Sequence, residues 1–348
     1  RIAKITVALL LAVAMCFSLA GCYDEDLNWS AKYDDTELPA GAYIYYLSIA
    51  YNEAASKVST EDEVLKCEID GTPAETWIKN RADEYVNQYF YIQNEMKRLG
   101  LEMTDEDYST CLQTTESYFE KFGIAKTSFD IAYSQYNRMY LKVFNALYGE
   151  GGENEVPESE LRQHIEDDYY DYEYFSAPLT KTDDDNKSVD LTDEEKADLK
   201  ETLEKYKTKI ESGAMTVNDA ATDYALKVQQ DSTYQTGIKD ENGMQSSYMP
   251  DAFISAIKEM NEGDVEVVES TKYMIVLHRL PIKEDEDTLL ESSDNRSQLL
   301  LELKNTEYAD AVSAAAQSFE GVEWNQKVLN RYKPSMFADA TKNGTSSV

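Results

Sequence analysis

Apolar side chains in the first half of the chain recur at three- and four-residue spacing, which is the period of an amphipathic helix. The predicted helices of this half cover residues 43–55, 72–99, 104–123 and 128–148. The second of them opens with Thr72-Pro73-Ala74-Glu75, the sequence of a capping box with proline at the first helical position, and Gly100 ends it. We therefore expect residues 41–155 to form a helical domain.

After residue 155 the pattern changes to short runs in which apolar residues alternate with polar ones. Such alternation is typical of half-buried strands, and it occurs over residues 170–176, 265–268 and 273–277. Helical patterns cover residues 157–168, 192–210, 217–226 and 250–260, and an acidic loop covers residues 183–190. Residues 156–282 are therefore predicted to form a small α/β module that closes with a hairpin.

A long helix is predicted again over residues 288–319, after a charged loop at residues 283–287. Its broad apolar face is larger than a small module can bury, so we expect it to pack against residues 72–148. The segment 283–333 would then complete the helical domain, and residues 334–348 have the composition of a disordered tail. The predicted fold class is α+β, a mainly helical domain built from both chain ends with the small α/β module inserted.

The start of the chain has the pattern of a lipoprotein signal. Positive charge on Arg1 and Lys4 precedes an apolar run that ends in Leu19-Ala20-Gly21-Cys22 and is too short for a stable membrane span. We expect residues 1–21 to be a signal peptide and Cys22 to carry lipid on the extracytoplasmic face of the cell membrane, with residues 22–40 as an acidic tether. The alternatives are a plain secretory peptide or a core helix with a cysteine by chance.

The charge of the chain limits its partners. It carries 67 acidic and 33 basic side chains, a net charge of −34, which repels nucleic acid, so we expect no nucleic-acid partner.

With two His and no metal-ligand spacing among the cysteines, we also expect no metal and no cofactor. Once Cys22 is lipidated and Cys16 leaves with the signal, Cys67 and Cys111 remain, either as a pair or as separate structural residues.

Several segments follow one another in a recognisable order. Lys97-Arg98-Leu99-Gly100-Leu101 ends one predicted helix and leads into the acidic start of the next, Thr104-Asp105-Glu106-Asp107. In the module, a helix pair beginning at residue 213 is followed by Met249-x-x-x-Phe253, Met260-Asn261-Glu262-Gly263-Asp264-Val265 and Tyr273-Met274-Ile275-Val276. These segments resemble the extracytoplasmic parvulin-type foldases, the PrsA and SurA family. The resemblance implies a helical chaperone domain with an inserted parvulin module, a peptidyl-prolyl isomerase site, and unfolded secreted proteins as partners.

The positions that would carry isomerase catalysis depart from the family. Parvulin sites resemble one another in two inward histidines, on the first and the last strand, with a Cys or Asp between them. Here the first strand offers Tyr174 and Phe175, the last strand has Met274 where a histidine would stand, and Asp231 is the candidate middle acid. His278 lies four residues past Met274, so strand alternation places it on the same face. The candidate catalytic positions are therefore Tyr174, Asp231, Met274 and His278.

The resemblance also implies a proline pocket, for which Met249 and Phe253 are the matching residues, flanked by Tyr174 and Phe175. The alternative is that Met249 and Phe253 lie one turn apart on a buried helix face. Prolyl isomerisation needs an environment that favours the twisted amide, against a barrier of about 18 to 20 kcal/mol. Without the two histidines we expect weak or absent isomerase activity and a retained surface for extended apolar chain.

The sequence thus predicts a membrane-anchored extracytoplasmic foldase or chaperone for unfolded secreted proteins. Two alternatives stay open on the sequence alone. The first is the solute-binding lipoprotein of a transporter, which would need repeated strand and helix alternation in two lobes. The second is a structural envelope lipoprotein with an inactive parvulin module.

Overall fold

The computed structural model describes residues 29–59, 63–119, 123–183, 185–228 and 234–338. The fold is α+β, as predicted, and it is mainly helical with small antiparallel sheets. Cys22, the predicted signal before it and Asp231 lie outside the described residues. Within the described part of the chain, no helix is long and apolar enough to cross a membrane.

The chain divides into two compact units. The helical unit comprises the described residues of Arg1–Glu155 and Lys304–Val348, and the sheet unit comprises those of Val156–Leu303. We predicted the inserted module to end at residue 282, so the structural boundary lies further along the chain. The difference arises because the helix Ile282–Glu291 packs against the helix Glu158–Asp168 and the strand Tyr169–Pro178 of the sheet unit.

The elements follow one another in three runs. The first run comprises β1 Trp29–Tyr33, β2 Thr36–Pro39, α1 Ala40–Ser56, β3 Glu68–Ile69, β4 Thr72–Pro73, α2 Ala74–Arg98, α3 Asp105–Tyr118, α4 Lys126–Phe129, a π-helical turn Asp130–Gln135 and α5 Tyr136–Tyr148. The second comprises α6 Glu158–Asp168, β5 Tyr169–Pro178, β6 Thr180–Thr182, β7 Ser188–Asp190, α7 Asp193–Glu211, α8 Val217–Val228, β8 Gln235–Asp240, α9 Glu241–Ser246, α10 Asp251–Glu259, β9 Val265–Glu269, β10 Tyr273–Leu280 and α11 Ile282–Glu291. The third comprises α12 Ser293–Gln317, β11 Glu323–Trp324 and α13 Gln326–Arg331, with short 3-10 turns at Val64–Lys66 and Pro334–Phe337.

Part of the predicted tether is a sheet instead. β1 lies between β2 and β11 in an antiparallel sheet, where Ala31 is opposite both Leu38 and Trp324. Ser30 and Ala31 are fully buried. The prediction of a tether over residues 22–40 is therefore wrong for residues 29–39. The reason is that one partner strand comes from the far end of the chain, which a local pattern does not reveal.

The last part of α12 belongs to the helical unit. Tyr308 is buried there, with its ring centroid 4.6 Å from that of Tyr140 and 5.3 Å from that of Phe144. Asn87 of α2 donates a hydrogen bond to the carbonyl oxygen of Ala316 at 3.0 Å. These contacts cover the apolar side of the last part of α12 with residues of α2 and α5.

Two predicted irregular segments are ordered. The predicted charged loop at residues 283–287 is the start of α11, because Lys283 and Glu286 form ion pairs with Glu166 and Arg162 of α6. The predicted disordered tail begins with an ordered 3-10 turn, in which Phe337 is buried with its ring 5.7 Å from that of Tyr51. Residues 339–348 lie outside the described residues.

Two helices begin with capping boxes, but not the helix for which the sequence predicts one. Thr104 with Asp107, and Thr192 with Glu195, form complete capping boxes at the starts of α3 and α7. The predicted box at Thr72 is wrong, because Thr72 pairs with Ile69 in a short hairpin and the cap of α2 falls on the following proline, which makes no side-chain hydrogen bond.

The sheet unit is built on an antiparallel sheet of four strands in the order β8-β5-β10-β9. α7 and α8 cover one face, which we call the closed face, over Phe175, Ala177 and Met274. α9 and α10 lie against the other, which we call the tyrosine face after Tyr170, Tyr172 and Tyr174 of β5. β7 lies within the predicted acidic loop at residues 183–190, and β6 and β8 lie in segments where we predicted neither a strand nor a helix. Their residues are mostly polar, so they lack the apolar alternation that marks a strand.

Candidate functional site

The predicted site residues of β5 lie on both faces of the sheet. Tyr174 and Phe175 are consecutive, so their side chains point to opposite faces. Phe175 is fully buried on the closed face, where its ring contacts those of Tyr206 and Tyr224. Tyr174 is half-buried on the tyrosine face. Phe175 is therefore a core residue, and its predicted role in substrate binding is wrong.

Met274 is also buried on the closed face. Its cross-strand neighbours are Ala177 on β5 and Glu269 on β9, so no histidine or cysteine lies opposite it on either strand. The residues of β10 on the tyrosine face are Ile275 and Leu277, which are both buried. Met274 thus lies on the opposite face from Phe253, and the two cannot contribute to one site. The motif identified both residues, but it did not specify which face each would occupy.

His278 takes part in a hydrogen-bonded network on the same side of the sheet as Met274. Its Nδ1 lies 2.8 Å from Oε1 of Glu173, and the hydroxyl of Tyr234 donates to Oε2 of Glu173 at 2.6 Å. Burial alone would raise the pKa of Glu173, but the hydrogen bonds from His278 and Tyr234 hold it below its ordinary value. The network therefore fixes an ionised carboxylate between two strands and a tyrosine.

The second histidine lies on α6. Its Nδ1 is 2.8 Å from the carboxylate of Asp168, and its Nε2 is 3.0 Å from that of Glu302. The hydrogen bond with Glu302 raises the pKa of His164. His164 and His278 are the two histidines of the chain, and neither lies on the tyrosine face.

Phe253 is a core residue of the tyrosine face. It is 1% exposed, and its ring meets those of Tyr172 and Tyr174 edge-on at 5.2 Å in each case. Phe253 lies on α10, whereas Met249 precedes this helix, whose N-cap is Pro250. The two are therefore not on one helix face as their spacing suggested. A direct grip of Phe253 on a substrate ring is also wrong, because the ring is already covered.

The tyrosine face reaches solvent at the connection between α9 and α10. Tyr248 in this connection is 94% exposed and has a φ of 56°, in the left-handed region. The backbone N–H of Met249 donates to the carbonyl oxygen of Met244 at 3.1 Å, and the hydroxyl of Tyr172 donates to Sδ of Met249 at 3.7 Å. These bonds hold the half-buried Met249 against the tyrosine face, directly after the exposed Tyr248 in the chain. The sequence analysis missed Tyr248, for which the local signal is an aromatic residue directly before Met249-Pro250.

The tyrosine side chains of this face are uncharged, and the positive charge of Arg279 lies near the end of β10. Burial raises the pKa of both Tyr172 and Tyr174, so their hydroxyls stay protonated and act as neutral hydrogen-bond donors. Arg279 lies over the ring of Tyr170 at 4.9 Å and donates to the carbonyl oxygen of Met260 at 2.6 Å. The face can therefore bind apolar and aromatic groups, but none of its described side chains is placed to act as a general acid or base.

Neither a metal centre nor a reactive thiol is evident in the described part of the chain. Its His, Cys, Asp and Glu side chains form no group of three or more that could hold a metal ion. Cys67 and Cys111 are both free, so of the two alternatives they are separate residues. Burial raises the pKa of Cys111 to about 11, which keeps this thiol protonated.

Comparison with known proteins adds one structural likeness. No protein-family model matches the chain, and no curated protein matches it. Among solved structures, the chain is similar to PrsA from Bacillus subtilis, at 15% sequence identity and a TM-score of 0.29, over 82% of this chain and 100% of that one. A TM-score of this size carries no argument about fold or function.

Proposed function

We propose that this protein is a membrane-anchored extracytoplasmic foldase or chaperone that binds unfolded or partly folded secreted proteins. The observation that carries the proposal is the half-buried Met249, which packs on the uncharged side chains of Tyr172, Tyr174 and Phe253, with the exposed Tyr248 next to it in the chain. Methionine is flexible and polarisable, and tyrosine combines an apolar ring with a hydroxyl. A surface of these residues accepts many chain sequences, as a chaperone requires.

The proposal includes weak or absent peptidyl-prolyl isomerase activity. Catalysis of this reaction requires groups that favour the twisted amide over the planar one, across a barrier of about 18 to 20 kcal/mol. The strand positions on the tyrosine face hold Tyr174, Ile275 and Leu277, and neither histidine of the chain is among them. Binding without efficient catalysis is what this set of side chains supports.

The proposed location depends on the sequence Leu19-Ala20-Gly21-Cys22. Lipid on Cys22 would hold the protein at the membrane, where secreted chains emerge. We expect Cys22→Ser to release the protein into the medium or to leave it unprocessed. Mass spectrometry of the mature N-terminus tests this directly, and a Cys22 without lipid would contradict the proposed anchor.

The chaperone activity is tested on the chain from residue 22 with Cys22→Ser, by light scattering during dilution of a denatured client protein. We expect the parent chain to suppress the scattering and Tyr248→Asp to lose most of this effect. Because Tyr248 is 94% exposed, this variant should keep the thermal midpoint of the parent. Leu226→Asp on α8 is the matched control, since Leu226 is another exposed apolar residue of the sheet unit.

Two results would contradict the chaperone proposal. One is a parent chain that does not suppress aggregation, and the other is an equal loss of suppression in Tyr248→Asp and Leu226→Asp. A second assay follows a refolding reaction that is limited by proline isomerisation. Acceleration as efficient as that of an ordinary parvulin would contradict the proposed weakness of catalysis.

A further inference from the structure

The two helices that adjoin the chain connections between the units are joined by a histidine. The chain enters the sheet unit at Val156 and leaves it after Leu303. α6 follows the first connection, and α12 makes the second. Nε2 of His164 on α6 lies 3.0 Å from Oε2 of Glu302, which is the next-to-last residue of α12 in the sheet unit. This contact therefore ties together the two places where the sheet unit is connected to the rest of the chain.

Both ring nitrogens of His164 face a carboxylate. While Nε2 contacts Glu302, Nδ1 lies 2.8 Å from Oδ2 of Asp168, one turn further along α6. A neutral imidazole carries one N–H and can donate to one carboxylate only, whereas an imidazolium donates from both nitrogens. The two contacts are therefore complete only when His164 is protonated. We call His164 with Asp168 and Glu302 the His164 clamp.

The carboxylate of Glu302 is held by further donors. The hydroxyl of Tyr169 on β5 donates to Oε2 at 2.8 Å, and Nε2 of Gln298 donates to Oε1 at 3.0 Å. Burial alone would raise the pKa of Glu302, but the hydrogen bonds from His164, Gln298 and Tyr169 hold it below its ordinary value. The first part of α12 is thus held on α6 and β5 through one ionised side chain.

The other charged contacts of α6 form a separate row. Glu158, Arg162 and Glu166 lie four residues apart along this helix and pair with side chains of α11 and α12. The partners are Glu286 and Asp287 for Arg162, Lys283 for Glu166, and Arg296 for Glu158. Among the described residues, the ring of His164 therefore faces the two carboxylates of the clamp and the ring of Tyr169, which meets it edge-on at 5.9 Å.

We infer that the His164 clamp is a proton-dependent device that holds the first part of α12 on α6 and β5, and that it loosens when the imidazolium loses its proton. The hydrogen bond with Glu302 raises the pKa of His164 above the value of about 6.5 in an unfolded chain. The contribution of the clamp to stability is therefore present below about pH 6.5 and is lost as pH rises through the folded pKa. The inference does not depend on the chaperone proposal.

The first test measures the protonation of His164 by NMR on the chain from residue 22 with Cys22→Ser. The chain has two histidines, so His278→Gln assigns both imidazole signals. We expect His164 to titrate above about pH 6.5, and Glu302→Gln to lower its midpoint more than Asp168→Asn does. The reason is that the side chain of Glu302 is 23% exposed and that of Asp168 is 62% exposed. A midpoint of His164 at or below about 6.5 overturns the inference.

The second test measures opening of residues 293–303 by amide hydrogen exchange at about pH 6 and about pH 8.5, corrected for the intrinsic exchange rate. Asp171 of β5 titrates in the same range, because burial raises its pKa to about 7, so all chains compared also carry Asp171→Asn. We expect opening to increase at least about threefold with pH in the parent. His164→Gln should abolish this increase, whereas His278→Gln, the matched control, should keep it.

The outcomes decide the inference as follows. An increase of equal size in His164→Gln, or no increase in the parent, overturns it. Thermal midpoints at pH 6 show whether each variant is folded. Should His164→Gln fail to fold, Asp168→Asn replaces it, because an amide can accept from Nδ1 or donate to it and so completes the contact with or without the proton. Asp168→Asn should reduce the increase in opening, and an undiminished increase overturns the inference.

Discussion

The two faces of the sheet in the sheet unit are made by the same strands but differ in how they meet solvent. On the closed face, α7 and α8 bury Phe175 and Met274. On the same side of the sheet, the carboxylate of Glu173 forms hydrogen bonds with His278 and Tyr234. On the tyrosine face, the short helices α9 and α10 bury the strand residues but leave their own connection exposed. Strand alternation therefore assigns a residue to a face, and the covering helices decide which face is a binding surface.

The largest expected effect on stability comes from shortening one side chain on each face of the sheet to alanine. Phe175→Ala removes a fully buried ring from the closed face and should cost about 3 to 5 kcal/mol of stability. Met249→Ala removes a half-buried side chain at the rim of the tyrosine face and should cost about 1 kcal/mol. Because the chain has two units, amide hydrogen exchange in β5 and β10 is the appropriate measurement. Equal losses of protection would show that the two faces are equally packed.

A second prediction concerns Asp171, which is buried on the same side of β5 as Glu173. Burial and then the neighbouring Asp285 raise its pKa to about 7, and one of its oxygens has no hydrogen-bond partner among the described residues. An unfolded aspartate has a pKa of about 3.9, so ionisation disfavours the folded state increasingly as pH rises from about 4 to 7.

Asp171→Asn should therefore raise stability above pH 7, by up to about 4 kcal/mol, and have little effect near pH 4. Thermal midpoints of the parent and the variant across this range test the prediction. A gain at pH 4 that equals the gain at pH 8 would exclude the proposed ionisation. Asp285→Asn gives an independent check, because it removes the second cause of the raised pKa.

The third prediction concerns Glu173 on the same strand, whose contribution to stability depends on pH with the opposite sign. The pKa of Glu173 is lowered by its hydrogen bonds, so its contribution is present above about pH 4.3 and is lost as pH falls through the folded pKa. Glu173→Gln should cost about 1 kcal/mol at neutral pH, because it weakens the bonds to His278 and Tyr234. The difference in thermal midpoint should shrink toward pH 3, and a difference that grows there would contradict the assignment.

These residues also show how far the sequence can predict the structure. The alternation over residues 170–176 and 273–277 is enough to predict β5, β10 and the α+β class. It is not enough to predict β8, which has no apolar pattern and forms through its pairing with β5. Gly237 of β8 shows the tertiary constraint, since a Cβ there would lie 2.7 Å from the hydroxyl oxygen of Tyr172.

The candidate site was also predicted only in part, because its geometry depends on tertiary packing. The spacing of Met249 and Phe253 suggested one helix face, but Pro250 starts the helix between them. Tyr248 has no periodic signal, because it belongs to a connection and not to a helix or strand. Its importance comes from exposure and backbone conformation, which depend on how α9 and α10 pack. Local patterns thus identified most helices and the strands β5, β9 and β10, whereas the exposed residue required the tertiary structure.

The smallest expected effect on stability comes from Tyr248→Gly. This variant tests whether the side chain of Tyr248 is needed for binding although its backbone conformation is unfavourable. A left-handed backbone disfavours a residue with a Cβ by roughly 1 to 2 kcal/mol, whereas glycine adopts it freely but loses more entropy on folding. Tyr248→Gly should therefore raise the stability of the sheet unit slightly, by about 0.5 kcal/mol, and should weaken suppression of client aggregation. Asn186→Gly is the matched control, because Asn186 is also exposed with a φ of 59° but lies in the β6–β7 turn, and it should leave suppression unchanged. Thermal midpoints and light scattering measured on the same samples give both quantities. Full suppression by a Tyr248→Gly variant of unchanged or higher stability would show that the exposed ring takes no part in binding, and the difference between the two faces would then be one of packing alone.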